Sequence, residues 1–303
     1  MGPWLDAFVA TFGLIGLGAL LRRTLLPDLA VWAGMEKLVF TLLLPALLTA
    51  SIGSVDLATL PIGGMAGTIW GTLLTGTALS LLLARLLGHG HATATSVLQG
   101  GIRYNNLMAF AVVGAAHGQA GIAFGGIATG LIVPCVQIVI TVVFAMGGDR
   151  RPHPLRLLRQ IATNPLLVAC ALGLALALVG GPPPGLRGLL KALAQGSLAI
   201  GLLCVGAALT LGALAARPLT QLLTGVLKLF IMPAIAAALA HAVGLDPLAA
   251  SIAVLFMAQP TASTAYVQAR AMGGDAPLMA AMITTQHIAA MVTLPLWVLL
   301  LAH

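Results

Sequence analysis

Apolar residues run along this chain in long blocks, closed by Gly, Pro or charged clusters at about 7–22, 34–52, 60–87, 93–115, 119–146, 162–180, 188–213, 219–243, 248–270 and 275–301. A helix that crosses lipid needs roughly 17 to 25 apolar residues and must satisfy its backbone polar groups internally. The pattern predicts an all-α membrane protein of ten transmembrane helices with short connections. Two of these blocks break off near their middles, close to the bilayer centre. The fourth is interrupted by Gly100-Gly101-Ile102-Arg103-Tyr104-Asn105-Asn106, the ninth by Gln259-Pro260-Thr261-Ala262-Ser263-Thr264. Paired broken helices at that depth mark transport sites.

Charge sets the orientation. The connections after odd-numbered spans carry Arg22, Arg23, Lys37, Arg85, Arg150, Arg151, Arg156, Arg159, Arg217 and Arg270, and those after even spans only Arg187 and Lys191. The positive-inside bias places the odd connections in the cytoplasm and both termini outside it, in a plasma or inner cell membrane. Residues 148–161 form a cytoplasmic linker between 1–147 and 162–303, each half with five spans. An odd number per half inverts the second half relative to the first, and a shift of 154 residues lays Asn105-Asn106 on Gln259-Pro260. The expected architecture is two inverted five-helix repeats with broken helices four and nine.

Composition narrows the chemistry. Hydrophobic residues make up 60% of the chain and charged ones 7%, so lipid solvates most of it. The net charge of +7 is scattered among turns, without the stripe or interleaved aromatics that nucleic acid requires. Met1 to Asp6 lack a signal-peptide pattern, so the first span is expected to be retained. Cys135, Cys170 and Cys204 lie within apolar blocks and read as packing residues; no metal or cofactor is expected. The acids Asp6, Asp28, Glu36, Asp56, Asp149, Asp246 and Asp275 fall at or near span ends, so the mid-membrane carboxylate pair of many cation antiporters is missing. Motifs for ATP hydrolysis, zinc proteolysis and serine hydrolysis are lacking as well, which argues against an enzyme.

Arg103 is the sharpest candidate, because a charge at the bilayer centre costs about 2.5 to 3.5 kcal/mol on insertion scales. It either faces an aqueous cavity and grips an anion with its planar fork, or pairs with freed carbonyls or snorkels. Asn105 and Asn106 tolerate non-helical backbone and offer amide donors. Pro260 breaks span nine at Gln259, and Thr261, Ser263 and Thr264 can cap the restarted helix. Weaker candidates are Thr41 and Pro45 in span two, Gln137 in span five, and Gln286 and His287 in span ten, which serve either as interhelical glue or at the site. His287 is the one in-membrane candidate for carrying a proton. Lys228 is expected to snorkel, and His89 and His91 to be merely solvated.

These residues resemble the auxin efflux carrier family, which includes plant auxin carriers and bacterial malonate-type transporters. The resemblance rests on Leu38-Val39-Phe40 through Leu44-Pro45-Ala46-Leu47-Leu48, Arg103-Tyr104-Asn105-Asn106, Asn164-Pro165-Leu166, Leu227-Lys228-Leu229 with Pro233, Pro260 to Tyr266, and Thr293-Leu294-Pro295-Leu296-Trp297, in that order. It implies crossed helices four and nine at the substrate, with Asn105 or Asn106, Pro260 and its neighbours, and Gln137 among the contacts; Tyr104, beside Arg103, is a further candidate for substrate binding. It also implies a scaffold of spans one, two, six and seven, often dimeric, and a transport domain of spans three to five and eight to ten that moves as an elevator. The plant carriers have a proline at both crossings, whereas span four here has none, so its break is expected to rest on Gly100, Gly101 and the asparagines. The expected function is a carrier for a small organic carboxylate such as malonate, working as a homodimer in lipid. Coupling to sodium or protons remains open, as does a ligand-binding membrane sensor.

Overall fold

The computed structural model describes residues 2–54, 61–147, 154–210, 212 and 214–301, and the side chains of these except 2–7, 156, 157 and 160. Asp56, Asp149, Arg150 and Arg151, and the side chains of Asp6 and Arg156, lie outside the described residues. The described chain is helical, without strands. Its helices are α1 (Gly2–Arg23), α2 (Leu29–Leu38), α3 (Leu44–Ile52), α4 (Ile62–Leu86), α5 (His91–Ile102), α6 (Asn106–Ala145) and α7 (Pro154–Ala162). There follow α8 (Pro165–Leu178), α9 (Pro184–Ala207), α10 (Pro218–Val226), α11 (Met232–Ala242), α12 (Pro247–Met257), α13 (Thr264–Met272) and α14 (Ala276–Leu301). Six apolar runs are long enough to cross a membrane, at Leu29–Ile52, Ile62–Leu86, His91–Ala145, Pro184–Ala207, Pro218–Ala242 and Ala276–Leu301. The 55-residue run is divided at Arg103–Asn105 and again at Gly118, whose backbone (φ 60°, ψ −140°) leaves the helical region and suits a residue without Cβ.

Helix starts follow from local chemistry. Asn164 caps α8 by accepting from the Leu166 N–H at 2.9 Å, and Asp28, Asp246 and Asp275 cap α2, α12 and α14 in the same way. Prolines occupy the first turn of α8, α9, α10 and α12, where a missing N–H costs nothing. Three of the acids at span ends thus serve as caps. The central linker contains α7, begun by Pro154, and is more ordered than a bare connection.

Two π-helical turns, Val39–Leu43 and Leu227–Ile231, each end one residue before a Leu44-Pro45 or Met232-Pro233 pair. A proline ring clashes with the carbonyl one turn back, and widening the preceding turn relieves that clash.

The chain divides into two compact units. Unit 1 comprises 1–62, 107–130 and 160–208. Within it α1 and α9 meet through glycines: a Cβ on Gly18 would overlap the Leu203 carbonyl, and one on Gly206 the Ile15 carbonyl. Close backbone approach through small residues is the usual packing of helices in lipid. Unit 1 also holds Cys170, buried with its thiol donating to the Gly126 carbonyl at 3.4 Å, and Arg22, which donates to the Ala207 carbonyl at the end of α9. Unit 2 comprises 63–106, 131–159 and 209–303, and contains α5, α12, α13 and both non-helical breaks, whereas 107–130 of α6 fall in unit 1.

Candidate functional site

The helical backbone stops at Ile102 and restarts at Asn106; in span nine it stops at Met257 and restarts at Thr264. Gly100 and Gly101 lie inside α5, which corrects the expectation that they make the break. They are small for packing reasons, since a Cβ on Gly100 would stand 2.9 Å from the Met282 sulfur and one on Gly101 would overlap the Ser80 hydroxyl. The chain leaves the helix at Arg103, whose backbone is extended (φ −73°, ψ 156°).

The two interruptions are bonded to each other. Asn105 N–H donates to the Pro260 carbonyl at 2.7 Å. The Gly100 carbonyl, orphaned at the end of α5, accepts from the Thr261 hydroxyl at 2.9 Å and from the Gln286 amide at 3.0 Å. Gln286 returns an acceptor to the Thr261 N–H at 2.9 Å. Gln286 therefore joins α5, the span-nine break and α14. Thr261 does not cap α13 as the sequence suggested, because it lies two residues before the Ser263 cap position, and its hydroxyl donates to the Gly100 carbonyl. Ser263 makes no side-chain cap bond either, and the Thr264 hydroxyl accepts from Arg103.

Arg103 is partly exposed. Its guanidinium donates to the Gln99 side-chain carbonyl at 3.3 Å and to Thr264 at 3.2 Å, and no carboxylate pairs with it among the described residues. Gln99, one turn earlier, is fully buried, and its amide nitrogen has no hydrogen-bond partner among the described residues. Gln259 is equally buried; its amide nitrogen donates to the Leu255 carbonyl and its oxygen has no partner among the described residues. Tyr104 and Asn106 are buried too, the Tyr104 ring packing against Phe256 with centroids 5.7 Å apart.

His287 is buried beside Asn105. Its Nδ1 meets the Ile283 carbonyl at 2.7 Å, and its Nε2 lies 3.0 Å from the Asn105 amide. A carbonyl only accepts, so Nδ1 carries a proton and Nε2 takes the Asn105 amide hydrogen, which describes the neutral ring.

Lys228 corrects a second expectation. It is fully buried on the π turn of span eight, and its ammonium donates to the Met257 carbonyl, the last of α12, at 3.1 Å instead of snorkelling. Gln137 is half-buried and donates to Thr141 one turn on, at 3.3 Å. Thr41 is exposed and donates to the Lys37 carbonyl, while Pro45 lies in the first turn of α3; both belong to unit 1. His89 and His91 are engaged: His89 bonds Thr220 at 2.9 Å and Arg217 at 3.4 Å, and His91 lies 3.3 Å from the Phe144 carbonyl.

Sequence reading missed Gln99 and undervalued Lys228, Gln286 and His287. Gln99 carried a usable signal, its position one helical turn before Arg103. Among the described residues no group of His, Cys, Asp and Glu could hold a metal ion.

No curated protein matches the chain. A protein-family model described as membrane transport protein matches residues 4–298. With nearly its whole length matched and its two broken helices bonded to each other, the chain belongs to this membrane transport family, the one that contains the auxin efflux carriers, and is a multi-pass membrane transporter.

Proposed function

We propose that this transporter carries a small organic carboxylate, with malonate as the first candidate. The observation that carries the reading is Arg103, a guanidinium at the crossing held by two neutral oxygens and no acid among the described residues. A carboxylate would complete its planar fork with two charge-assisted hydrogen bonds. Around it stand the unpartnered Gln99 amide and the N-terminal ends of α6 and α13, whose partial positive charge favours anions. In this reading Asn105, Asn106, Gln259 and Thr261 orient the ligand or hold the crossing in shape. The body that moves is the transport domain of spans three to five and eight to ten, which carries both breaks, giving alternating access of the elevator kind in a homodimer in the cell membrane.

Counterflow of labelled malonate in proteoliposomes tests this, with wild type beside Arg103→Gln. Saturable exchange in wild type, lost in a variant that stays monodisperse, is the expected result. Unchanged exchange in the folded variant would remove Arg103 from the site.

The contact between Asn105 and His287 favours a second reading, proton coupling of the same carrier. Protonating Nε2 would turn it from acceptor to donor and oblige Asn105 to present its carbonyl instead. His287→Gln would then retain counterflow but lose accumulation driven by a pH gradient; equal loss of both would make His287 a binding or structural residue.

A further inference from the structure

We infer that Lys228 is a second fixed cation of the binding site and sets the charge of the anion that the crossing accepts; the inference rests on the carboxylate reading above. The π turn Leu227–Ile231 places Lys228 between the ends of two broken helices. Leu227 packs beside Gly101, its Cδ2 3.4 Å from where a Cβ there would stand, two residues before Arg103. Lys228 itself reaches the Met257 carbonyl, where α12 ends. Arg103 follows the C-terminal end of α5, and Lys228, from span eight, donates to that of α12, so each of these negative helix ends has one cation beside it.

Among the described residues no acid cancels the charge of these two cations. The partial charges of two C-terminal and two N-terminal helix ends oppose one another across the crossing. His287 is held as the neutral ring by Ile283 and Asn105. Asp246 and Asp275, the acids on the neighbouring α12 and α14, are occupied as caps at the far starts of those helices. Among the described residues neither Arg103 nor Lys228 has a carboxylate partner. An ammonium offers three donors, and the Met257 carbonyl uses one. The unpartnered amide nitrogen of Gln99 adds a neutral donor on the Arg103 side. Two cations with donors to spare and no acid suit a ligand carrying two negative charges, such as a short dicarboxylate; a monoanion would leave one buried charge unmatched.

The test is competition against labelled malonate counterflow by unlabelled malonate and its monomethyl ester, which differ by one charge at nearly equal size. Wild type is expected to prefer malonate at least tenfold, and Lys228→Gln, which keeps a hydrogen-bond donor but not the charge, to lose that preference while still exchanging the monoester. A folded Lys228→Gln with undiminished preference would overturn the inference. So would a wild type that takes the monoester as well as malonate, a measurement that needs no variant to fold. Failure of wild type to exchange either anion would instead defeat the carboxylate reading itself, and is distinguishable because all selectivity is then absent.

Discussion

Asn105 and Pro260 are joined by one backbone hydrogen bond of 2.7 Å, and through it the two broken helices meet at their non-helical residues. Pro260 removes an N–H from its own helix but keeps its carbonyl free to accept, while Asn105, past the end of α5, has an N–H to give. Each break thus supplies what the other lacks. A further orphan, the Gly100 carbonyl, is met by Thr261 and Gln286.

Gln286 makes two of these bonds and Thr261's hydroxyl one. Thr261→Val should cost about 0.5 to 1.5 kcal/mol, since Gly100 keeps its Gln286 donor. Gln286→Leu should cost more, about 1 to 3 kcal/mol, because the Thr261 N–H is left buried and unmet. Thermal unfolding of the purified variants in detergent gives the order. Equal losses would mean that water replaces the Gln286 side chain.

In unit 1 the contact of α1 with α9 can be probed by two pairs of glycines. Gly206→Ala and Gly18→Ala push a methyl into a backbone carbonyl and should each cost about 1 to 3 kcal/mol. Gly13→Ala and Gly16→Ala, with nothing within 4 Å of the new methyl, should be neutral or stabilise by up to about 1 kcal/mol through helix propensity. Thermal stability of the four variants separates the classes, and a destabilised Gly16→Ala would mean that this face of α1 is covered in the membrane.

Much of this was legible in the sequence, for a physical reason. Lipid forces apolar length into helices, so block boundaries fixed where helices run, and Pro260 and Asn105-Asn106 announced their interruptions because breaks in lipid require residues that can manage freed backbone groups. Fine position was less visible. Gly100 and Gly101 looked like helix breakers, yet only the neighbouring Ser80 and Met282 explain why they are small. Lys228 looked like a snorkelling residue because periodicity cannot reveal a π turn, which rotates the following side chains relative to an ordinary helix. Gln286 and Gln99 acquire meaning only from partners far away in the chain or unmade.

The connection between α4 and α5 should respond to pH. Burial lowers the pKa of His89 from its ordinary 6.5, the neighbouring Arg217 lowers it further, and Asp275 opposes both. Its neutral ring accepts from Arg217, which also lies 3.6 Å from Asp275. A depressed folded-state value means that the unfolded chain binds the proton more readily, so this stabilisation is full above pH 6.5 and fades as pH falls through the folded value. Acidification should therefore lower the melting temperature of wild type more than that of His89→Gln. Parallel melting curves against pH would show that Asp275 cancels the burial and Arg217 contributions.

Trp297 offers the sharpest contrast between two similar side chains. Its indole N–H donates at 2.8 Å to the carbonyl of Leu229, which has lost its usual partner because the residue four positions on is Pro233. Trp70 donates at 2.9 Å to the carbonyl of Leu131, which lies three residues before Pro134 and still has the N–H of Cys135 four positions on. Both tryptophans decorate proline-containing helices, but only one meets a carbonyl that the proline has orphaned. Trp297→Phe keeps most of the ring and should cost about 1 to 3 kcal/mol, the price of an unmet buried acceptor. Trp70→Phe should cost less than about 1 kcal/mol, since its acceptor retains an intrahelical bond and the side chain is exposed. Equal losses in thermal unfolding would mean that Leu229 finds another donor through the widened π turn, for instance the N–H five residues on, and that the role of Trp297 is packing.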